Sequence, residues 1–265
     1  MIEACVMGAG LLAPGLSGWG AGRRVLAGCA AFEEREVIAP APVSLMPRER
    51  RRTSPAVRLA LAVAAEAVDQ AEMDPKDLPS IFGWAHGDGV VVQRLLEALA
   101  TPERFVSPTD FHNSVHNVAL GYWTIGTGAR KACTSVAAHK DTFSASLLKA
   151  LAQVKCEGTP VLLVVLDTPF TEPLNSVCRT GAPFAFALVL APPDREGGMA
   201  RIRGTYANAA ARVTPPRTDG LLELWKANAA ARALPLLEHL ARQEAAALQI
   251  PYGPDSRLDL EIAPC

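Results

Sequence analysis

Two uninterrupted apolar runs, residues 161–166 (VLLVVL) and 184–190 (FAFALVL), constrain this chain more than any other feature. Each has the length of a strand, and neither carries a polar residue to face water, so both read as buried strands. Helical patterns lie around them. Ser54-Pro55 opens a helix whose Ala56, Leu59, Ala60, Val63, Ala64 and Ala67 recur at three- and four-residue spacing. A second helix beginning near Asp141 gathers Phe143, Leu147, Leu148, Leu151 and Val154 on one face and stops at Gly158-Thr159-Pro160. Shorter apolar stretches at 2–7, 81–85 and 201–207 read as further strands, and the repeated alternation of strand and helix is the pattern of an α/β protein. The segment 221–247 is rich in Leu and Ala and reads as helical, with Pro235 marking a kink or break between two helices.

Composition supports a buried core and removes several functional classes. Of 265 residues, 49% are hydrophobic and the net charge is -1, a balance that suits a compact chain rather than a disordered one. The length fits one large α/β domain or a domain with an appendage. With 26 basic against 27 acidic residues there is no bulk positive field, so nucleic acid is not an expected partner despite the local cluster Arg48, Arg50, Arg51 and Arg52. Six cysteines are dispersed without a CxxC pair, which suits reduced thiols and a cytoplasmic location. The opening MIEACVMGAGLLAPG has Glu3 and no basic residue ahead of its apolar stretch, so it does not read as a signal peptide. No 18-residue apolar span follows, and membrane insertion is not expected.

Several motifs could carry chemistry. Read from Gly8, GAGLLAP lacks the third glycine of a dinucleotide loop and places Pro14 in the first helical turn, so no nucleotide cofactor is expected. HGDG at 86–89 offers His86 and Asp88 on a tight loop. The segment 105–154 concentrates His112, His116, His139, Asn113, Asn117, Tyr122, Trp123 and Cys133. His112 and His116 are four apart, but Pro108 precedes them and no HExxH glutamate accompanies them, so no metal is expected. Cys133 has Arg130, Lys131 and His139 near it in sequence and reads either as a packed structural thiol or as a nucleophile. Asp167 closes the 161–166 strand, where a capping or loop role competes with a reach toward substrate. Ser176 has no GxSxG elbow around it, and His239 in LLEHLARQ reads as a helix-surface histidine.

Taken together, SPTDFHN, HNVALGYWTIGTGARK and the helix start AAHKDTFSASLLKAL resemble the N-terminal half of a β-ketoacyl synthase, particularly the short synthase-like proteins of aryl-polyene and related polyketide-type pathways. The ordered Ser107-Pro108, Asn117, Gly121 and Gly128, followed by an elbow-like segment and an alanine-rich helix, carry the likeness, and GAPFAFALVLAP resembles the strand that closes the first half. The resemblance implies a thiolase-like α/β fold, mainly its N-terminal half, over residues 1–210, with 211–265 as a helical C-terminal extension. It also implies that the nucleophile position falls at or near His139, six residues beyond Cys133. The extension is too short to supply the second half and its histidines.

The resemblance therefore implies a non-catalytic, chain-length-factor-like subunit without cofactor or metal, pairing with a full-length β-ketoacyl synthase and through it with an acyl carrier protein. The expected interface or tunnel-adjacent residues are Phe111, His112, Asn113, His116, Asn117, Tyr122 and Trp123, with Arg130, Lys131 and His139 bordering the degenerate elbow. The alternatives are a condensing enzyme or acyltransferase using Cys133 with His112, His116 or His139 as base, and an acyl-ligand binding module.

Overall fold

The computed structural model describes residues 1–265. Its strands are β1 (Ile2–Ala13), β2 (Leu16–Ser17), β3 (Ser80–Trp84), β4 (Cys133–Val136), β5 (Val161–Asp167), β6 (Phe184–Ala191), β7 (Ala200–Ala207), β8 (Ala246–Pro251) and β9 (Arg257–Pro264). The α-helices are α1 (Trp19–Leu26), α2 (Pro47–Arg50), α3 (Pro55–Gln70), α4 (Gly89–Ala100), α5 (Pro108–Asn113), α6 (Val118–Thr127), α7 (Thr142–Glu157), α8 (Leu174–Val177), α9 (Leu222–Ala227) and α10 (Leu234–Arg242). All nine strands form one sheet in the order β4-β3-β5-β6-β1-β7-β9-β8, with β2 paired to β1. β4, β3 and β5 run parallel, and every other pairing is antiparallel.

The two apolar runs occupy the middle of this sheet as β5 and β6, and both are buried along their whole length. Alternation sorts their side chains between two cores. Val161, Leu163 and Val165 of β5, with Phe184, Phe186, Leu188 and Leu190 of β6, join the core that holds α7 and α10. Leu162, Val164 and Leu166, with Ala185, Ala187 and Val189, join the core that holds α3 and α6. Small residues on that second face let α3 approach closely. The helix lies so near β1 that a side chain at Gly8 or Gly10 would collide with the carbonyl oxygens of Ala67 and Val63. Ser54 starts α3 by accepting a hydrogen bond from Val57 N at 3.2 Å, and Pro55 presets the first turn.

The C-terminal segment departs from the helical extension expected for residues 211–265. Only α9, a short 3-10 turn at Ala230–Ala233 and α10 are helical, and the chain then forms the hairpin β8–β9, whose inner strand pairs with β7 along its full length. The reason is a period-two pattern: Leu258, Leu260 and Ile262, with Leu248 and Ile250 opposite, are buried in the same core as α7. Alternation and burial override the helix preference of the alanines at 245–247. Pro235 lies in the first turn of α10, where its missing N–H costs nothing, so it begins a helix rather than kinking one. His239 is buried, not on the helix surface as expected. Neighbouring Glu238 is also buried, its carboxylate accepting from Arg217 N, Thr218 N and Thr218 Oγ1, which pins the preceding loop onto α10.

The segment after 210 is thus part of the main core. Leu260→Ala is expected to lower the stability of the whole chain by about 2–5 kcal/mol, read as a shift of the single urea-unfolding transition; a separately folding appendage would leave the main transition in place.

Candidate functional site

Three parallel neighbours place the site. Because β4, β3 and β5 share a direction, the segments leaving their C-terminal ends open together at one end of the sheet. β3 leads to His86, β4 leads to His139, and β5 terminates in Asp167. These residues line a cavity of about 390 Å³, whose wall is completed by α8 and by the turn from α9 to the 3-10 segment, including Cys178, Arg179, Lys226, Asn228 and Arg232.

His139 sits in a strand-to-helix elbow. Its backbone is in the left-handed region at φ 50, which is strained for a residue with a side chain. The strain is held by Thr142 at the start of α7: its Oγ1 donates to His139 O at 2.7 Å and accepts from Ala138 N at 3.1 Å. Asp141 braces the same turn from outside, accepting from Gly253 N of the β8–β9 turn at 2.9 Å. The ring of His139 meets that of His86 edge-on at 5.3 Å between centroids, and Phe170 covers His86 from another side at 5.5 Å. Burial, then the neighbouring His139, holds His86 below the usual histidine range.

Asp167 is 1% exposed, and its Oδ1 has no hydrogen-bond partner. Burial pushes its carboxyl up to about 7, opposed only by a hydrogen bond from the Thr168 backbone. Asn228 ties this strand end to the opposite wall. Its Nδ2 donates to Asp167 O at 3.2 Å and to Ala182 O at 3.0 Å, while its Oδ1 accepts from Ala230 N and Ala231 N. Lys140, Arg179, Lys226 and Arg232 make the rim cationic, although Lys226 also pairs with Glu223 at 2.8 Å and Arg232 lies over the Trp225 ring. No three His, Cys, Asp or Glu side chains converge as a metal-ligating set. No helix is long and apolar enough to cross a membrane.

The residues singled out from the sequence divide into four groups. His139 is in the cavity. Phe111, His112, Asn117, Arg130 and Lys131 are at the surface. Asn113, Tyr122 and Trp123, expected at an interface or beside the tunnel, are buried within the chain. Asn113 Nδ2 donates to Arg52 O at 2.8 Å, and its Oδ1 accepts from Tyr122 OH at 3.3 Å, so these groups spend their polar atoms on their own fold. His112 rests edge-on against Tyr122 at 5.8 Å. His116 is half-buried with both ring nitrogens engaged, Nδ1 with Ser135 Oγ at 2.7 Å and Nε2 with Trp84 O at 2.5 Å, so it sews β4 to β3.

Cys133 begins β4, at the opposite end of the strand from the elbow, and its thiol donates to Lys131 O at 3.3 Å. The packing behind it raises its pKa, the reverse of what an activated thiolate needs. Arg179, Lys226 and Asn228 were not legible as site residues because each lies far in sequence from the elbow. Cys178 also lines the cavity, just after the short helix α8, with no motif to mark it. The signal available for His86 and Asp167 was their position at strand ends.

A family model described as Beta-ketoacyl synthase, N-terminal domain, matches residues 29–250. Among solved structures, a ketosynthase (ApeO) in complex with its chain length factor (ApeC) from Xenorhabdus doucetiae aligns at 21% identity and TM-score 0.73, covering 98% of this chain and 100% of that one. The type II polyketide complex AntDE:AntF, an acyl-carrier protein with its ketosynthase bound to the hexaketide, aligns at 10% identity and TM-score 0.75, covering 100% and 99%. The ishigamide ketosynthase/chain length factor aligns at 12% identity and TM-score 0.71, covering 100% and 99%. No curated protein matches the sequence.

The raised carboxyl of Asp167 has a definite sign in stability. Below about pH 4 the group is protonated whether the chain is folded or not; as pH rises toward 7 the unfolded chain gains by ionising while the folded one does not, so stability is lost across that window. Asp167→Asn removes this loss. It is expected to be more stable than the parent at pH 8, by no more than about 4 kcal/mol, with the difference shrinking toward pH 4 in parallel denaturation series.

Proposed function

The chain belongs to the β-ketoacyl synthase family and has its thiolase-like α/β fold, and on that premise we propose that it is a non-catalytic, chain-length-factor-like subunit that pairs with an active, full-length ketosynthase. Its setting would be fatty-acid-like, aryl-polyene or polyketide assembly, with an acyl carrier protein reached through the complex.

The observation that carries this reading is the occupant of the elbow. Decarboxylative condensation needs a thiol to hold the acyl group and nearby donors to stabilise enolate charge. The strained strand-to-helix turn holds His139, and an imidazole there forms no thioester. Cys133 lies about 10 Å away along β4 alone, with its thiol turned to a backbone carbonyl. Of the bases the cysteine alternative would use, His116 has no free ring nitrogen. These features favour a silent subunit over a Cys133 enzyme.

Pairing is supported by the sheet edge. β4 is the outermost strand, bonded on one side only to β3, and an open edge is a template for a partner strand. The helices before it expose Phe111 and Ile125, and Phe105 and Val115 are also exposed. Apolar surface of this kind around an open edge suits a covered interface. The relatives that share the fold include a ketosynthase in complex with its chain length factor and an acyl-carrier protein in complex with its ketosynthase, assemblies of the kind proposed.

Co-expression with a full-length ketosynthase from the same genome, followed by sizing with light scattering, tests the pairing. A hetero-complex is expected, and Phe111→Asp is expected to weaken it by about tenfold or more without changing the circular dichroism of the free chain. Cys133→Ala is expected to leave both the complex and its condensing activity intact. An acyl adduct on any cysteine of this chain, formed at the rate of turnover, overturns the non-catalytic assignment.

A further inference from the structure

The chain carries a sulfur pair far from the cavity. Cys5 in β1 and Cys265, just beyond β9, have their Sγ atoms 3.9 Å apart although 260 positions separate them in sequence. β7 lies between β1 and β9 in the sheet, so side chains of those two strands would ordinarily be two strand spacings apart, about 9.6 Å. The sulfurs meet because the chain closes around the beginning of β7: Cys265 N donates to Met199 O at 3.4 Å, and Met199 N donates to Val6 O at 2.8 Å. Gly198 leaves room there, since a side chain at that position would collide with the Cys5 sulfur.

We propose that Cys5 and Cys265 form a reversible redox clip, an intrachain disulfide made by exchange with a low-molecular-weight disulfide, which fastens the end of β9 to β1.

The two thiols divide the chemistry. Cys5 is buried and Cys265 is exposed, so only Cys265 meets an oxidant from solution. Its thiolate attacks one sulfur of the small disulfide, and the other sulfur leaves as a thiolate that takes up a proton. The Cys5 thiolate then attacks the Cys265 sulfur of the mixed disulfide, and the second small thiol leaves. Two protein thiols are oxidised to one disulfide and one small disulfide is reduced to two small thiols. Burial, then the neighbouring Cys265, raises the Cys5 thiol to about 11, which slows the second step and makes Cys265 the point of entry.

Closure needs the sulfurs to approach from 3.9 Å to a bonded separation of about 2.05 Å. Cys265 can move, because the ladder between β7 and β9 ends at Ala200 with Pro264. The clip would act on the hairpin as a whole. One end of β9 carries the sulfur pair, and the turn at its other end supports the elbow through Gly253 N to Asp141.

The test is incubation of the full chain with oxidised glutathione, non-reducing peptide mapping, and hydrogen exchange of residues 257–264. A Cys5–Cys265 cross-linked peptide that dithiothreitol removes is expected, with β9 amides exchanging about tenfold more slowly than in the reduced chain. Cys265→Ser, a change at an exposed position, is expected to abolish both. A persistent glutathione adduct on Cys265 without linkage to Cys5 overturns the proposal, as do cross-links scattered among Cys29, Cys133, Cys156 and Cys178.

Discussion

Strand β5 is bonded in parallel to β3 on one edge and antiparallel to β6 on the other, and the arrangement of the cavity follows from that pair of ladders. The parallel side sends the exits of β3, β4 and β5 to one end of the sheet, so His86, His139 and Asp167 converge although 81 positions separate the first from the last. The antiparallel side anchors β5 against β6, a strand buried at every residue, and so fixes where the end of β5 lies. On β6 the large side chains face α7 and the small ones face α3, so this strand cannot slip by one residue without driving Phe184 and Phe186 into the face where Ala185 and Ala187 sit. Register in the middle of the sheet is therefore also the register of the site.

The cavity concentrates costs that the rest of the fold offsets. A left-handed backbone at His139 is unfavourable by roughly 1–3 kcal/mol, and Asp167 is held in a place where its charge is poorly solvated. Both persist because their surroundings leave no alternative: Thr142 brackets the elbow from within α7, Asp141 is fixed by the β8–β9 turn, and Asn228 holds the end of β5 to the opposite wall. The elbow is thus maintained by structure even with an imidazole in it.

Much of this was legible in the sequence where one local rule decides the outcome. The runs 161–166 and 184–190 are central strands and the Ser54-Pro55 start of α3 is a capped helix, whereas the expected elbow at or near His139 came from the family resemblance and not from a local rule. The C-terminal segment was misread because helix propensity and strand alternation compete in ALQI, and only the partner strand β9 decides between them. Tyr122 and Trp123 were expected at an interface or beside the tunnel because aromatics suit a buried interface core, and nothing local separates that from a core internal to the chain. Helix α6 instead presents them to α3 and the core behind it. Asn228 and Arg179 carry no local signal at all; they belong to the site only because α8 and the turn after α9 fold back over the end of β5.

The outer edge of the sheet completes the argument about partnership. β4 is short and bonded to β3 on one side only, α6 and α7 pack against it, and α5 and α6 expose Phe111 and Ile125. The opposite edge is finished differently: β8 is bent back on β9 and ends in Pro251, which cannot donate to a further strand. Both outer strands are bonded on one side only, but β8 ends in a residue that lacks a backbone donor while β4 does not. Burial of Asn113, Tyr122 and Trp123 leaves Phe111 and Ile125 as the large apolar side chains that α5 and α6 expose.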